Sequence, residues 1–237
     1  MTTNDNLLPH GLSDRLPREA AIATRTMRAV LDTMHSHGYD RVSPPIIEFE
    51  QALAGRLARA GEVDAGRRMF RFVDPISLRS LAIRSDMTVQ LGRIAATSLS
   101  HAPRPLRLCY AGEIAMIEAD QLDPARQRLQ MGAELIGNDS AAAASEMLAL
   151  AIEALTAAGA TDLSVDFTMP DLIDLLATDA LPLPQDRIET VRRELDTKDA
   201  GGLNAAGGEA YLPLLFATGD FDTALERLSA IDLPQKH

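Results

Sequence analysis

Two runs decide how this chain folds: LCYAGEIAMIE at residues 108–118 and RQRLQMGAELIG at residues 126–137. Leu106, Leu108 and Tyr110 alternate, Ile114 and Met116 continue the pattern, and residues 129–136 form a second apolar run. A period of two is a strand signature, because successive side chains of a strand point to opposite faces. The runs are expected to be antiparallel strands joined by a polar loop over about residues 118–126.

Downstream, Ser140 is placed to cap a helix whose apolar stripe reads Leu148, Ala151, Ile152 and Leu155 and which ends at Gly159. Leu163, Val165 and Phe167 alternate and predict one more strand. From Pro170 to Pro234 the chain reads as short helices separated by Pro and Gly, with no strand. Upstream, Met27, Val30, Leu31 and Met34 recur at helical spacing, with a stop near Gly38. An extended segment through Val42, Ser43, Pro44 and Pro45 follows, since adjacent prolines forbid a helix. Phe70 and Phe72 alternate with Arg71, Asp74-Pro75 signals a turn, and Leu81 and Ile83 alternate again, which predicts a β-hairpin. A helix is expected over about residues 88–99, ahead of Pro103 and Pro105. Strands grouped with helices rather than strictly interleaved give an α+β fold.

Composition narrows the function. The net charge of -11 disfavours broad nucleic-acid binding, which needs clustered Lys and Arg; Arg67, Arg68 and Arg71 form only a local basic group, read as a solvated face. One cysteine, Cys109, excludes an internal disulfide, and its apolar surroundings predict a buried thiol. No signal-peptide pattern opens the chain and no apolar stretch is long enough to span a bilayer, so a cytoplasmic protein with no membrane contact is expected. The five histidines lack ligand spacing, His35 and His37 pointing to different faces of a helix, so no metal site is expected.

In order along the chain, three further segments together with the two runs above support a resemblance. GLSDRLP (11–17) looks like the lead-in to the first signature motif of class II aminoacyl-tRNA synthetases of the histidyl type, and GYDRVSPPIIE (38–48) is similar to that motif's interface strand. RMFRFVDPISLRSLAIRSDMT (68–88) resembles the hairpin that ends in an Arg-Pro-Glu-Gly-Thr loop, and the 108–137 region resembles the second signature motif. The resemblance implies an antiparallel class II sheet flanked by helices, with residues 1–169 as the synthetase-like core. It also implies that residues 170–237 form a helical tail resembling an insertion, with Glu194, Lys198 and Asp199 in it.

Carried over position by position, the resemblance assigns Arg84, Asp86, Thr88, Gln130 and Glu134 to an amino-acid site, with histidine as the expected ligand. The chemistry is suitable: Asp86 and Glu134 can receive an α-ammonium, while Thr88 and Gln130 can hydrogen-bond it or a side chain. Where the family carries the Arg that grips the α-phosphate of ATP, this chain has Met116. A thioether supplies no positive charge, and loss of one such group costs roughly 3 kcal/mol of transition-state stabilisation. The sequence ends at His237, ahead of the histidine-specific and third signature motifs of the synthetases, so a C-terminally truncated core without catalytic residues is expected.

YAG (110–112) and LQMGAELIG (129–137) also resemble segments of the regulatory subunits of ATP phosphoribosyltransferase. That resemblance implies a non-catalytic homodimer, built on an isologous patch at Pro44, Pro45 and Ile46. It would sit in a hetero-oligomer with the short-form catalytic subunit and need no cofactor. The alternative is an active, histidyl-tRNA-synthetase-like adenylating enzyme.

Overall fold

The computed structural model describes residues 7–59, 69–117, 124–167 and 171–231, so Arg67, Arg68, most of the polar loop after residue 117 and the last six residues lie outside the described residues. The chain divides into two compact units, residues 1–163 and 164–237.

The first unit is built on the two decisive runs. Strand β5 (Leu106–Ala115) pairs antiparallel with β6 (Gln127–Ile136) over ten residues, and β1 (Asp40–Arg41) adds in parallel on the far side of β5. Register fixes the faces, because residues directly opposite one another share a side. Leu108, Tyr110, Gly112 and Ile114 stand opposite Glu134, Gly132, Gln130 and Arg128. Leu106, Leu108, Tyr110 and Ile114 close over Leu91 and Ala95 of α3 (Thr88–Ala96) and over Met87, which precedes it. The opposite face carries Cys109, Ala111, Met131 and Ala133 against α1 (Pro17–Ser36) and α4 (Ala141–Ala157). Cys109 is buried, and burial pushes its thiol pKa up.

Helix α1 keeps the predicted stripe, burying Val30, Leu31 and Met34, and the chain leaves it through Gly38 at φ 80°, where a side chain would be strained. Ser140 caps α4 by accepting from the amide of Ala143 at 3.2 Å. The buried stripe of α4 is not the predicted one, however. Ala143, Leu150 and Ala154 face the sheet with Met147 and Ala158 beside them, while Ile152 and Leu155 are exposed. In a helix that is apolar nearly all round, periodicity does not choose the face, and small residues win where α1 and the sheet come close.

A second sheet, ordered β2-β4-β3, is formed by β2 (Ile47–Phe49), β4 (Ser80–Ile83) and β3 (Arg71–Val73). The predicted hairpin is β3–β4, its turn tied by Asp74, whose carboxylate accepts from Ile76 N at 3.1 Å and Ser77 N at 3.2 Å. One face buries Ala82 against Leu53 of α2 (Glu50–Arg59) and Met69. The other carries Ile47–Ile83 as neighbours and the row Phe49–Leu81–Phe72 across three strands, with Ile47, Phe49 and Phe72 exposed.

The predicted strand at Leu163, Val165 and Phe167 is absent. All three side chains are exposed, Phe167 by 74%, and no described residue pairs with the segment. An alternating pattern becomes a strand only against another strand's hydrogen-bonding edge.

The second unit is helical in all its described elements: α5 (Leu172–Thr178), α6 (Ile188–Asp196), α7 (Ala200–Ala205), α8 (Leu212–Phe216) and α9 (Phe221–Ser229). Its core gathers Ile173, Leu176, Val191, Leu203, Tyr211 and Leu215. The Tyr211 hydroxyl, buried with its ring, donates to the carbonyl of Leu181 at 2.6 Å. Asp199 and Asp220 cap α7 and α9 by accepting from Gly202 N at 2.9 Å and Thr223 N at 3.0 Å. No described helix is long and apolar enough to cross a membrane.

Candidate functional site

The turn between β4 and α3, residues 84–88, is laid over the β5–β6 floor and brings four of the five predicted residues together. Gln130 fixes it: its Oε1 accepts from Met87 N at 2.8 Å and its Nε2 donates to Asp86 Oδ1 at 2.6 Å. The other Asp86 oxygen accepts from Thr88 N at 2.9 Å, closing a tight Asx-type turn at the start of α3. Thr88 Oγ1 lies 3.1 Å from the Tyr110 hydroxyl. Glu134 stands opposite Leu108 on the same face of the floor and interacts with the Thr88 and Tyr110 hydroxyls.

Electrostatics single out Glu134. Burial raises its carboxyl pKa above the ordinary value; the Thr88 hydroxyl pulls it back, the Asp86 charge raises it further, and the Tyr110 hydroxyl lowers it. The Tyr110 phenol is pushed up to about 12, chiefly by burial, with the negative charges of Glu134 and Asp86 adding to the rise and Thr88 opposing it. Neither Asp86 nor Glu134 is ion-paired to a cation among the described residues. Two carboxylates near each other, one half-buried and both lacking a cation, favour a positively charged guest.

Arg84 is the exception among the predicted residues. Its buried guanidinium donates from Nε to the carbonyl of Glu113 at 2.8 Å and from Nη1 to that of Pro44 at 2.9 Å. Burial depresses its pKa, while the charges of Glu113 and Glu48 hold it up. It braces the turn against its neighbours. Tyr110, which the resemblance places in the second signature motif but not among the amino-acid-site residues, joins them through its hydroxyl, 3.1 Å from Thr88 Oγ1. The signal was two strand glycines: a Cβ at Gly132 would run into the Tyr110 hydroxyl, and one at Gly112 would run into the Arg84 guanidinium.

Beyond Gln130 the floor carries Met116 at the position where the resemblance places an arginine. Met116, half-buried, donates from its backbone N to the carbonyl of Arg126 at 2.8 Å. Arg126, one of the cations at that end, donates to the carbonyls of Met116 and His10 at 3.2 and 3.0 Å and lies 4.7 Å over the ring of Phe70, and Arg128 donates to the carbonyl of Ala125 at 3.3 Å. A recess of about 580 Å³ along residues 8–16 contains none of the predicted site residues.

Residues 11–233 match the family model described as histidyl-tRNA synthetase. The chain belongs to the histidyl-tRNA synthetase family. Within it, the chain is similar to proteins named ATP phosphoribosyltransferase regulatory subunit. It is 41% identical over 231 residues to that of Rhodospirillum centenum, covering 96% of this chain and 58% of that protein. It is 40% identical over 236 residues to that of Paramagnetospirillum magneticum, covering 98% and 61%. The chain thus spans about three fifths of the length of these relatives.

Among solved structures, an ATP phosphoribosyltransferase regulatory subunit/histidyl-tRNA synthetase from Bacillus halodurans superposes with TM-score 0.78 at 24% identity, covering 98% of this chain and 61% of that one. The histidyl-tRNA synthetase of Nostoc superposes with TM-score 0.71 at 16% identity, covering 94% and 51%. These likenesses give the fold: the α+β core of the histidyl-tRNA synthetase family, of which this chain matches 61% and 51% of the length of the two structures.

Proposed function

We propose that this member of the histidyl-tRNA synthetase family is a non-catalytic regulatory subunit of ATP phosphoribosyltransferase. It acts in the cytoplasm at the first step of histidine biosynthesis and engages the short-form catalytic subunit as a homodimer. The observation that carries the reading is the relatives named for that role, matching nearly the whole of this chain at 40–41% identity. The site agrees with it: the groups suited to an amino acid are assembled, while Met116 stands where phosphate would need a cation.

In this role the pocket binds histidine. Glu134 and Asp86 receive the ammonium, Thr88 and Tyr110 supply hydroxyls, and Gln130 holds the turn in shape. Occupancy then informs the catalytic partner. The dimer contact lies at Pro45 and Ile46, which are exposed, and extends onto the open face of the β2-β4-β3 sheet; Pro44, by contrast, is buried.

The test is to co-express this chain with the short-form catalytic subunit, purify the complex through a tag on one partner, and measure condensation of ATP with phosphoribosyl pyrophosphate. Co-purification, raised activity and histidine inhibition that needs this chain are expected. A catalytic subunit equally active and equally inhibited alone would overturn the reading. Histidine-dependent exchange of pyrophosphate into ATP by this chain would instead favour the adenylating enzyme.

A further inference from the structure

The residues flanking the ligand turn also hold a segment elsewhere in the unit. Between β1 and β2 the chain runs extended through Pro44 and Pro45, which have no amide hydrogens to donate. Its three successive carbonyls are all taken by the turn and the first turn of α3: Pro44 O accepts from Arg84 Nη1 at 2.9 Å, Pro45 O from Gln90 Nε2 at 2.8 Å, and Ile46 O from Arg84 N at 3.0 Å. The Gln90 amide donates as well to Glu48 Oε1 at 3.0 Å, and Arg93, one turn further along α3, donates to the same oxygen at 2.5 Å.

Gln90 is the unusual member. It is fully buried, and its Oε1 has no hydrogen-bond partner among the described residues. A fold needing only packing there would use Leu or Met, which fill similar space without stranding an acceptor. Its backbone N donates to Met87 O at 2.9 Å, so the Gln90 side chain moves with the first turn of α3 and hence with Asp86 and Thr88.

We propose that Arg84 and Gln90 are positioning residues coupling ligand occupancy at Asp86–Thr88 to the Pro44–Phe49 segment and to the exposed apolar sheet face that it carries. The inference rests on the amino-acid pocket of the preceding section and extends it to what the pocket controls. A ligand that draws Asp86 and Thr88 toward Glu134 shifts the origin of α3, and the three captured carbonyls follow. The Phe49–Leu81–Phe72 row, part of the proposed dimer contact, is therefore presented to the second copy of the chain differently with the pocket full and empty. The coupling needs no contact between ligand and partner, only a turn and a strand that share their hydrogen bonds.

The experiment is amide hydrogen exchange on the full chain, with and without saturating histidine, alongside calorimetric titration of histidine. In the unaltered protein, histidine is expected to slow exchange at residues 46–49 by about fivefold or more, the low end of ordinary coupling between sites, as well as at 85–88. In Gln90→Met, protection at 85–88 should persist while that at 46–49 falls below about twofold. Arg93→Met, which removes a Glu48 contact but leaves the Pro45 carbonyl held, should keep the transfer, unlike a general loosening of the segment. Binding heat with protection confined to 85–88 in the unaltered protein overturns the coupling, and that result does not depend on either variant folding. Absence of binding heat overturns the pocket and the coupling together, so the two failures are told apart.

Discussion

Replacing Glu134 with Gln should separate the stability of the pocket from its affinity. The carboxylate is half-buried on the β6 side of the floor and unpaired with any described cation, and burial together with the Asp86 charge raises its pKa. A raised carboxyl pKa means that the folded state binds the proton more tightly than the unfolded state. Stability from this group is therefore greatest below the unfolded value and falls as pH rises through the window up to the folded one. At neutral pH the charge is a burden, so Glu134→Gln should leave the ligand-free protein as stable as before or more so. Ligand binding should move the opposite way. The substitution removes a charge-assisted hydrogen bond worth about 1.5–3 kcal/mol, so histidine affinity should fall roughly tenfold to a hundredfold. A bound ammonium stabilises the carboxylate, so affinity in the unaltered protein should rise with pH through the raised Glu134 value. Free histidine titrates too, and the difference between unaltered and Glu134→Gln titrations isolates the Glu134 contribution. The assays are thermal melting and calorimetric titration across pH 4.5 to 8. Lower stability at pH 7 together with unchanged affinity would refute the argument in both its parts.

Three further outcomes are expected. Gly132→Ala, which forces a Cβ against the Tyr110 hydroxyl, should cost about 1–3 kcal/mol and lower the melting temperature; an unchanged melt would mean that the Tyr110 ring has room to shift. Ser140→Ala removes the cap on α4 and should cost about 1 kcal/mol by urea unfolding, with Ser140→Asn close to neutral. The Glu146 carboxyl is held down to about 2, first by the Arg107 guanidinium and then by the Tyr39 hydroxyl, so its stabilising contribution is present above the ordinary carboxyl value and lost as pH falls toward 2. Glu146→Gln should flatten that acid-side slope in a melting series, and an unaltered slope would assign acid unfolding to other carboxylates.

The fold was legible where two independent signals coincided. Leu106, Leu108 and Tyr110 alternate, residues 129–136 form an apolar run, and a polar loop separates them; the strands 106–115 and 127–136 form the central pair in full register. Helix α4 was found by its cap and length, yet its buried stripe was misplaced: Ala141, Ala142, Ala144 and Ala151 surround the true face, so hydrophobicity hardly varies around the axis. At residues 163–167 the pattern is strand-like but no strand forms, because alternation states that a segment can pair and is silent about whether an edge is there to meet it.

The site divides along the same line. Asp86, Thr88, Gln130 and Glu134 could be placed together because their spacing matched a known motif, and the β5–β6 register and the folded turn do bring them onto one floor. Arg84 shows what spacing cannot give. A guanidinium beside two carboxylates reads as a ligand-binding cation, yet its donors go to the carbonyls of Pro44 and Glu113, residues 40 and 29 positions away. Those acceptors exist only because two prolines hold one segment extended and β5 passes beneath the turn. The charge of a side chain is written in the sequence, whereas the carbonyls that claim it are supplied by the rest of the fold. A motif residue whose described side-chain hydrogen bonds go to backbone carbonyls is therefore better tested as a brace than as a ligand contact, and Arg84→Lys, which keeps the charge but loses the fork, is the substitution that distinguishes the two.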